Sequence, residues 1–213
     1  MSISPSVIIQ NIEDEVLPNS SNIVQNQAIY SFLEDNFGAK TALEKAVNAC
    51  LGGRITRFYN EGIITLGNHF QAQRDSLSKI RANNCITIEK NAFIFCDHLQ
   101  TVEAKQVRNV GVGAFAGCER LNTIDFRYSL GGVFQTPKNL GEYAPFLLCT
   151  SLLNVYLGGE VWVIENDVSA YNLFKPAITA HPSTFKIYVP SAKASLYRTD
   201  PQWSTVSSYI YTF

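Results

Sequence analysis

One pattern of apolar residues is written twice between Cys85 and Phe126, and it restricts the possible folds more than any other stretch. Reading NCITIEKNAFIFCDHLQTVE against RNVGVGAFAGCERLNTIDF pairs Ile88 with Val110, Ala92 with Ala114 and Phe93 with Phe115. It also pairs Cys96 with Cys118, Leu99 with Leu121 and Val102 with Ile124, and every pair is twenty-two positions apart. One spacing at six apolar positions means one structural unit used repeatedly. Such a unit cannot bury its apolar face alone, so copies stack into a solenoid.

The same spacing extends outward. Leu77 and Ile80 precede Leu99 and Val102 by that interval, and Phe70 is one position off the register of Phe93. A third unit carries Phe146, Cys149, Leu152 and Val155, but it follows its predecessor by thirty-one positions. The excess of nine is an insertion, placed in YSLGGVFQTPKNLGEY and expected to project as a loop. A looser fourth unit has a short strand at Val161–Ile164, then Tyr171 and Phe174, then a last strand at Phe185–Val189. Within a unit, Leu-x-x-Val/Ile fits a strand and Ala-Phe-x-x-Cys a tight turn on the opposite wall. The expected core rows are Phe93, Phe115 and Phe146; Cys96, Cys118 and Cys149; and Leu99, Leu121 and Leu152. Upstream, RITRFYNEGIITL reads as a β-ribbon turning at Asn60-Glu61-Gly62 and covering the N-terminal end.

Composition narrows the function classes. With 17 basic against 18 acidic side chains, the chain has no nucleic-acid footprint. No apolar run approaches the ~20 residues of a membrane-spanning helix. The start, MSISPSVIIQNIEDEVLP, lacks the basic opening and apolar core of a signal peptide, so folding in a cytoplasm is expected. Three of the five cysteines share one repeat position, where a reduced thiol packs as a small apolar residue; Cys50 and Cys85 read as isolated core thiols.

Residues 1–22 read as an extended arm with an apolar patch (Val7, Ile8, Ile9) and an acidic triplet, Glu13-Asp14-Glu15. Residues 23–53 read as two short helices. Ile29, Phe32, Leu33 and Phe37 recur at helical spacing before Gly38, and Leu43, Val47 and Cys50 do so before Gly52-Gly53. The segment SNIVQNQAIY, running on to Leu33, resembles the S-x-N-P-V-Q-N-K-A-I-Y-x-x-L motif of bacteriophage fibre, head-fibre and tail-associated proteins. Ile23 stands where that motif has Pro, and Gln27 where it has Lys. The resemblance implies a virion location and an N-terminal segment, including Val24, Ile29, Phe32 and Leu33, that attaches to other virion proteins or forms a homo-oligomer, with a trimer favoured.

The unit Ala-Phe-x-x-Cys-x-x-Leu-x-x-Ile is similar to the BspA-type leucine-rich repeat, and Tyr188-Val189-Pro190 followed by Tyr197 and Trp203 resembles that family's C-terminal cap. The resemblance implies a mainly β leucine-rich solenoid of about four repeats over residues 54–213, with short helices. It also implies a role in adhesion or protein interaction and no catalytic residues; no cofactor is expected, and on the virion reading the partner is a host-surface protein or glycan.

Features that could carry chemistry have plainer explanations. Gly111–Gly117 lacks the Gly-Lys-Ser/Thr of a phosphate loop. His69, His98 and His181 share no spacing. Glu103 and Asp125 are repeat equivalents, a conceivable acid/base or cation pair that reads better as a solvated rim. Aromatic side chains outside the core rows are better candidates for a binding face: Tyr128, Phe134, Tyr143, Tyr156 and Trp162, the first three around the insertion.

Overall fold

The computed structural model describes residues 57–68, 70 and 74–213, together with the backbone of Ile23 and Val24. Arm, helix and Cys50 readings that fall on residues 1–22 and 25–56 lie outside the described residues.

In chain order the strands are β1 (Ile23–Val24), β2 (Arg57–Tyr59), β3 (Thr65–Leu66), β4 (Lys79–Arg81), β5 (Thr87–Ile88), β6 (Thr101–Glu103) and β7 (Asn109–Val110). They continue as β8 (Thr123–Phe126), β9 (Val133–Phe134), β10 (Asn154–Leu157), β11 (Val163–Ile164), β12 (Lys186–Val189) and β13 (Ile210–Thr212). Among the described residues two α-helices complete the frame: α1 (Ala170–Ala180) and α2 (Ala194–Thr199). Among the described residues no helix is long and apolar enough to cross a membrane.

From β2 to β12 the strands alternate between two walls. One is an eight-stranded sheet in the order β1-β2-β4-β6-β8-β10-β12-β13, the other a five-stranded sheet in the order β11-β9-β7-β5-β3. Every pairing is parallel, as a coil that returns to its start after each turn requires. From β2 to β8 the register advances by one repeat unit per coil, with Ile80 opposite Val102 and Val102 opposite Ile124.

The third wall is the Ala-Phe-x-x-Cys turn, and it too is bonded from coil to coil. The Phe93 N–H donates to Ala114 O (2.8 Å), Phe95 N–H to Ala116 O (2.7 Å) and Gly117 N–H to Leu147 O (2.8 Å). The residue before each cysteine turns left-handed: φ is 58° at Phe95, 77° at Gly117 and 63° at Leu148. Between the walls, Phe70, Phe93, Phe115, Phe146 and Phe174 stack in one column with centroids 5.1–5.7 Å apart. The thiols of Cys118 and Cys149 each donate to the Phe carbonyl one coil earlier, Phe93 O and Phe115 O, at 3.1 Å. A cysteine suits this row because it is small, apolar in bulk and still supplies a donor for a buried carbonyl. All nine expected core residues are buried.

Several sequence readings are corrected. RITRFYNEGIITL is no hairpin ribbon: β2 and β3 lie on different walls and form a full coil, one repeat unit ahead of β4 and β5 in register. Ile23–Val24 is a strand beside β2, so at those two residues the backbone is extended rather than helical. The insertion of nine is not one loop. Val133 follows Thr123 by ten positions where Asn109 follows Thr101 by eight, so two of the nine fall before β9 and the other seven after it. Phe134, expected in that loop, points inward from β9 with no exposure, because it pairs beside Val110 in the inner row of the smaller sheet. Trp162 is fully buried as well, its ring 4.6 Å from that of Phe134. Cys85 is buried in the inner row formed with Ile63 and Val107, one residue per coil.

The C-terminal end is closed by different parts. Helix α1 replaces the turn in its coil, capped by Ser169 and burying Ala170, Leu173, Phe174, Ala177 and Ile178. Trp203 donates from Nε1 to Trp162 O (2.6 Å), and Tyr197 packs edge-on against Trp203 at 5.0 Å. The Gln202 side chain ends the smaller sheet by standing in for a further strand. Its Oε1 accepts from Ile164 N (3.0 Å) and its Nε2 donates to Ile164 O (2.5 Å). The larger sheet gains one strand beyond the expected last one, β13, parallel to β12.

Candidate functional site

The outward face of the eight-stranded sheet is built from alternate strand residues, since a residue's neighbours along a strand point to the opposite side. Inward go Ile80, Val102, Ile124, Val155 and Ile187. Outward, strand register places Tyr59, Arg81, Glu103, Asp125, Tyr156, Tyr188 and Tyr211 in a single row.

The N-terminal half of that row is ionic. Glu103 takes Lys79 Nζ at 2.6 Å and lies 3.9 Å from Arg81 Nε, which is itself 3.2 Å from Glu61. Asp125, its side chain 7% exposed, accepts from Arg127 Nε at 2.8 Å and from Arg127 N at 3.2 Å. Glu103 and Asp125 therefore sit side by side as their spacing implied, Glu103 paired with Lys79 and Asp125 with Arg127.

The C-terminal half is aromatic. Tyr156 and Tyr188 stack at 4.5 Å and 9°, and Tyr211 follows at 6.0 Å. The Arg127 guanidinium covers Tyr156 at 4.4 Å, Lys186 Nζ covers Tyr211 at 5.0 Å, and Lys105 Nζ covers Tyr128 at 5.4 Å. Packing within this group desolvates the Tyr156 phenol and, with Tyr188 beside it, raises its pKa. Among the described residues no hydrogen bond claims the hydroxyls of Tyr156, Tyr188 or Tyr211.

Of the aromatic candidates read from sequence, Tyr128 and Tyr156 thus belong to this face, Tyr128 at its edge and 64% exposed. Tyr143 is also exposed, but lies on the turn wall with its ring edge-on to Phe95 at 6.0 Å. Phe134 and Trp162 are core residues. The sequence reading missed Tyr188 and Tyr211, because the pairings Tyr156–Tyr188 and Tyr188–Tyr211 do not keep the spacing of the repeat. Val24, Ile29, Phe32 and Leu33 lie outside the described side chains.

Burial pushes the Cys85 and Cys96 thiols up to about 12 and raises Cys118 and Cys149 as well. His98 is paired with its neighbour Asp97 at 3.0 Å. Among the described residues no group of three or more His, Cys, Asp or Glu could hold a metal ion. The glycines of Gly111–Gly117 serve packing: a Cβ on Gly111 would lie 2.3 Å from Lys90 N, and one on Gly117 2.2 Å from the Phe95 ring.

Neither a curated protein nor a solved structure matches the chain. A family model does: "BspA type Leucine rich repeat region" matches residues 64–175 in six copies, just over half of the chain. With its parallel two-sheet coil and its Phe, Cys and Leu rows, this chain belongs to the BspA-type leucine-rich repeat family.

Proposed function

We propose that the chain is a non-enzymatic binding protein that engages a partner through the outward face of its eight-stranded sheet. The observation that carries this reading is the row Tyr156–Tyr188–Tyr211, fixed in register by strand pairing and with its hydroxyls unclaimed among the described residues. Pre-ordered aromatic side chains with a polar tip are efficient interface anchors, because little rotamer freedom is lost on contact. Membership of a leucine-rich repeat family supports a role in protein interaction or adhesion.

The finer reading rests on the segment Ser21–Leu33 and its resemblance to the phage motif. On that reading the chain is part of a bacteriophage head or tail fibre. Residues 1–53 join it to other virion proteins and to its own copies as a trimer, and the solenoid faces a host-surface protein or glycan. A free-standing bacterial adhesin is the second reading, and the family match favours it as much as it favours the first.

Two measurements test these. Labelled full-length chain is incubated with bacterial cells, unmodified and as Tyr188→Ser with Tyr211→Ser; loss of binding by a chain that is still folded at the assay temperature is the expected result, and undiminished binding refutes the face. Light scattering gives the solution mass of the full chain and of Ile29→Asp with Phe32→Asp. A trimer that the double substitution dissociates supports the fibre reading, and a monomer in both refutes it.

A further inference from the structure

The tyrosine half of this face carries unpaired cations, while the network of carboxylate ion pairs lies in its N-terminal half. There, Lys79, Arg81, Glu61 and Glu103 neutralise one another. Around the tyrosines, Asp125 is taken by Arg127, and the exposed Glu160 holds Lys193 Nζ with both carboxylate oxygens at 2.6 and 2.7 Å. Lys105 and Lys186 are left with no carboxylate in ion-pair range among the described residues, each resting only on an aromatic ring.

The geometry also restricts how the rings can be used. A sugar stacks on the face of an aromatic ring. Here the faces of Tyr156 and Tyr188 lie against each other, Arg127 covers Tyr156, and Lys186 covers Tyr211. The central rings, Tyr156 and Tyr188, therefore offer their edges rather than an open face, and ammonium groups flank the row, a surface suited to hydrogen bonds and opposite charge.

Resting on the face named above, we propose that its partner is an acidic polypeptide segment, with carboxylates meeting Lys105 and Lys186 and polar groups meeting the tyrosine hydroxyls. Charge complementarity selects the partner's sign, and the mutually stacked Tyr156 and Tyr188 favour polypeptide over glycan at the centre of the row.

The test measures binding of the full chain to three probes by fluorescence anisotropy across a salt series: a poly-glutamate peptide, a neutral serine/glutamine peptide of equal length, and an oligogalacturonate. The glutamate peptide should bind and weaken with salt, and the neutral one should not. Lys105→Gln with Lys186→Gln should lower that affinity roughly tenfold. Lys175→Gln on α1, which removes an exposed charge away from this face, should leave it unchanged. Oligogalacturonate bound in preference to the peptide, and weakened by the same pair of substitutions, overturns the polypeptide assignment while keeping the face. Equal effects of Lys175→Gln and the lysine pair overturn the charge argument. No binding of any probe overturns the inference, and the tyrosine variants on cells then judge the face by themselves.

Discussion

Gly117 lies at the centre of the turn wall, and a double-mutant cycle with Phe95 tests how that wall is packed. Replacing Gly117 by Ala sets a Cβ at a φ of 77° and 2.2 Å from Phe95 Cδ1, with Cε1 at 2.9 Å. The left-handed backbone alone costs an L-residue ~1–2 kcal/mol. The Phe95 ring, 42% exposed, can swing away, but only by giving up its edge contact with Tyr143, a contact worth ~0.5–1.5 kcal/mol. Gly117→Ala should therefore destabilise by about 2–3 kcal/mol, and with a urea dependence of ~1–3 kcal/mol/M the midpoint should fall by about 1 M. In a Phe95→Ala background the ring is absent and only the backbone strain remains, so the same substitution should cost about 1 kcal/mol less. Urea titration followed by circular dichroism measures all four proteins. The slope must stay constant across the set, since a solenoid can unfold in parts. Additivity within ~0.5 kcal/mol would refute the placement of the Phe95 ring over Gly117.

Other expectations follow from the core, the thiols and the inserted loop. Phe115→Ala, between Phe93 and Phe146 in the stacked column, should cost ~3–5 kcal/mol in the same titration; a loss below ~1 kcal/mol, on the scale of ordinary surface substitutions, contradicts the column. With Cys50 replaced by Ser, Cys85, Cys96, Cys118 and Cys149 should stay unreactive toward Ellman's reagent until the chain unfolds, and prompt reaction in the native state contradicts their burial. Because their folded pKa values lie above the ~8.5 of an unfolded chain, their contribution to stability is complete below about pH 8.5 and declines toward pH 12. A denaturation midpoint that does not fall between pH 8 and 10 would argue against this. Glu142 accepts from Lys90 Nζ (2.6 Å) and from the N–H groups of Lys138 (2.9 Å) and Asn139 (3.1 Å), and these hold its carboxyl down to about 2. Its hold on the loop is therefore present above its ordinary pKa of ~4.3 and lost as pH falls through about 2. At neutral pH, Glu142→Gln should speed tryptic cleavage after Lys138, and an unchanged rate would show that the loop is ordered by something else.

The coil was legible wherever the chain kept strict time. Phe93, Cys96 and Leu99 recur as Phe115, Cys118 and Leu121, and a buried row demands that recurrence. Legibility failed where spacing changed. The short strands β2 and β3 carry too few residues to show alternation, and Asn60-Glu61-Gly62 offers hairpin-like turn chemistry, so a whole coil read as a ribbon. Phe134 follows Val110 two positions later than the repeat would place it, which hid its place in the inner row and made a core residue read as a loop tip. Trp162 and Trp203 meet only when α1 and α2 fold back over the last coil, a contact between positions far apart in sequence. The tyrosine row was the least legible, since Tyr211 reaches Tyr188 across α2 and the cap.

Gln202 has a meaning for length. A parallel stack resembles a crystal with a growth front: each coil offers the next one a template of N–H and C=O groups. By supplying an amide in place of a backbone, Gln202 poisons that front on the smaller sheet. The terminator acts on whichever coil precedes it, and it is indifferent to how many came before. Duplication or loss of a whole repeat unit upstream would therefore shift the reach of the solenoid by one rung of ~4.8 Å while its stop stayed in working order.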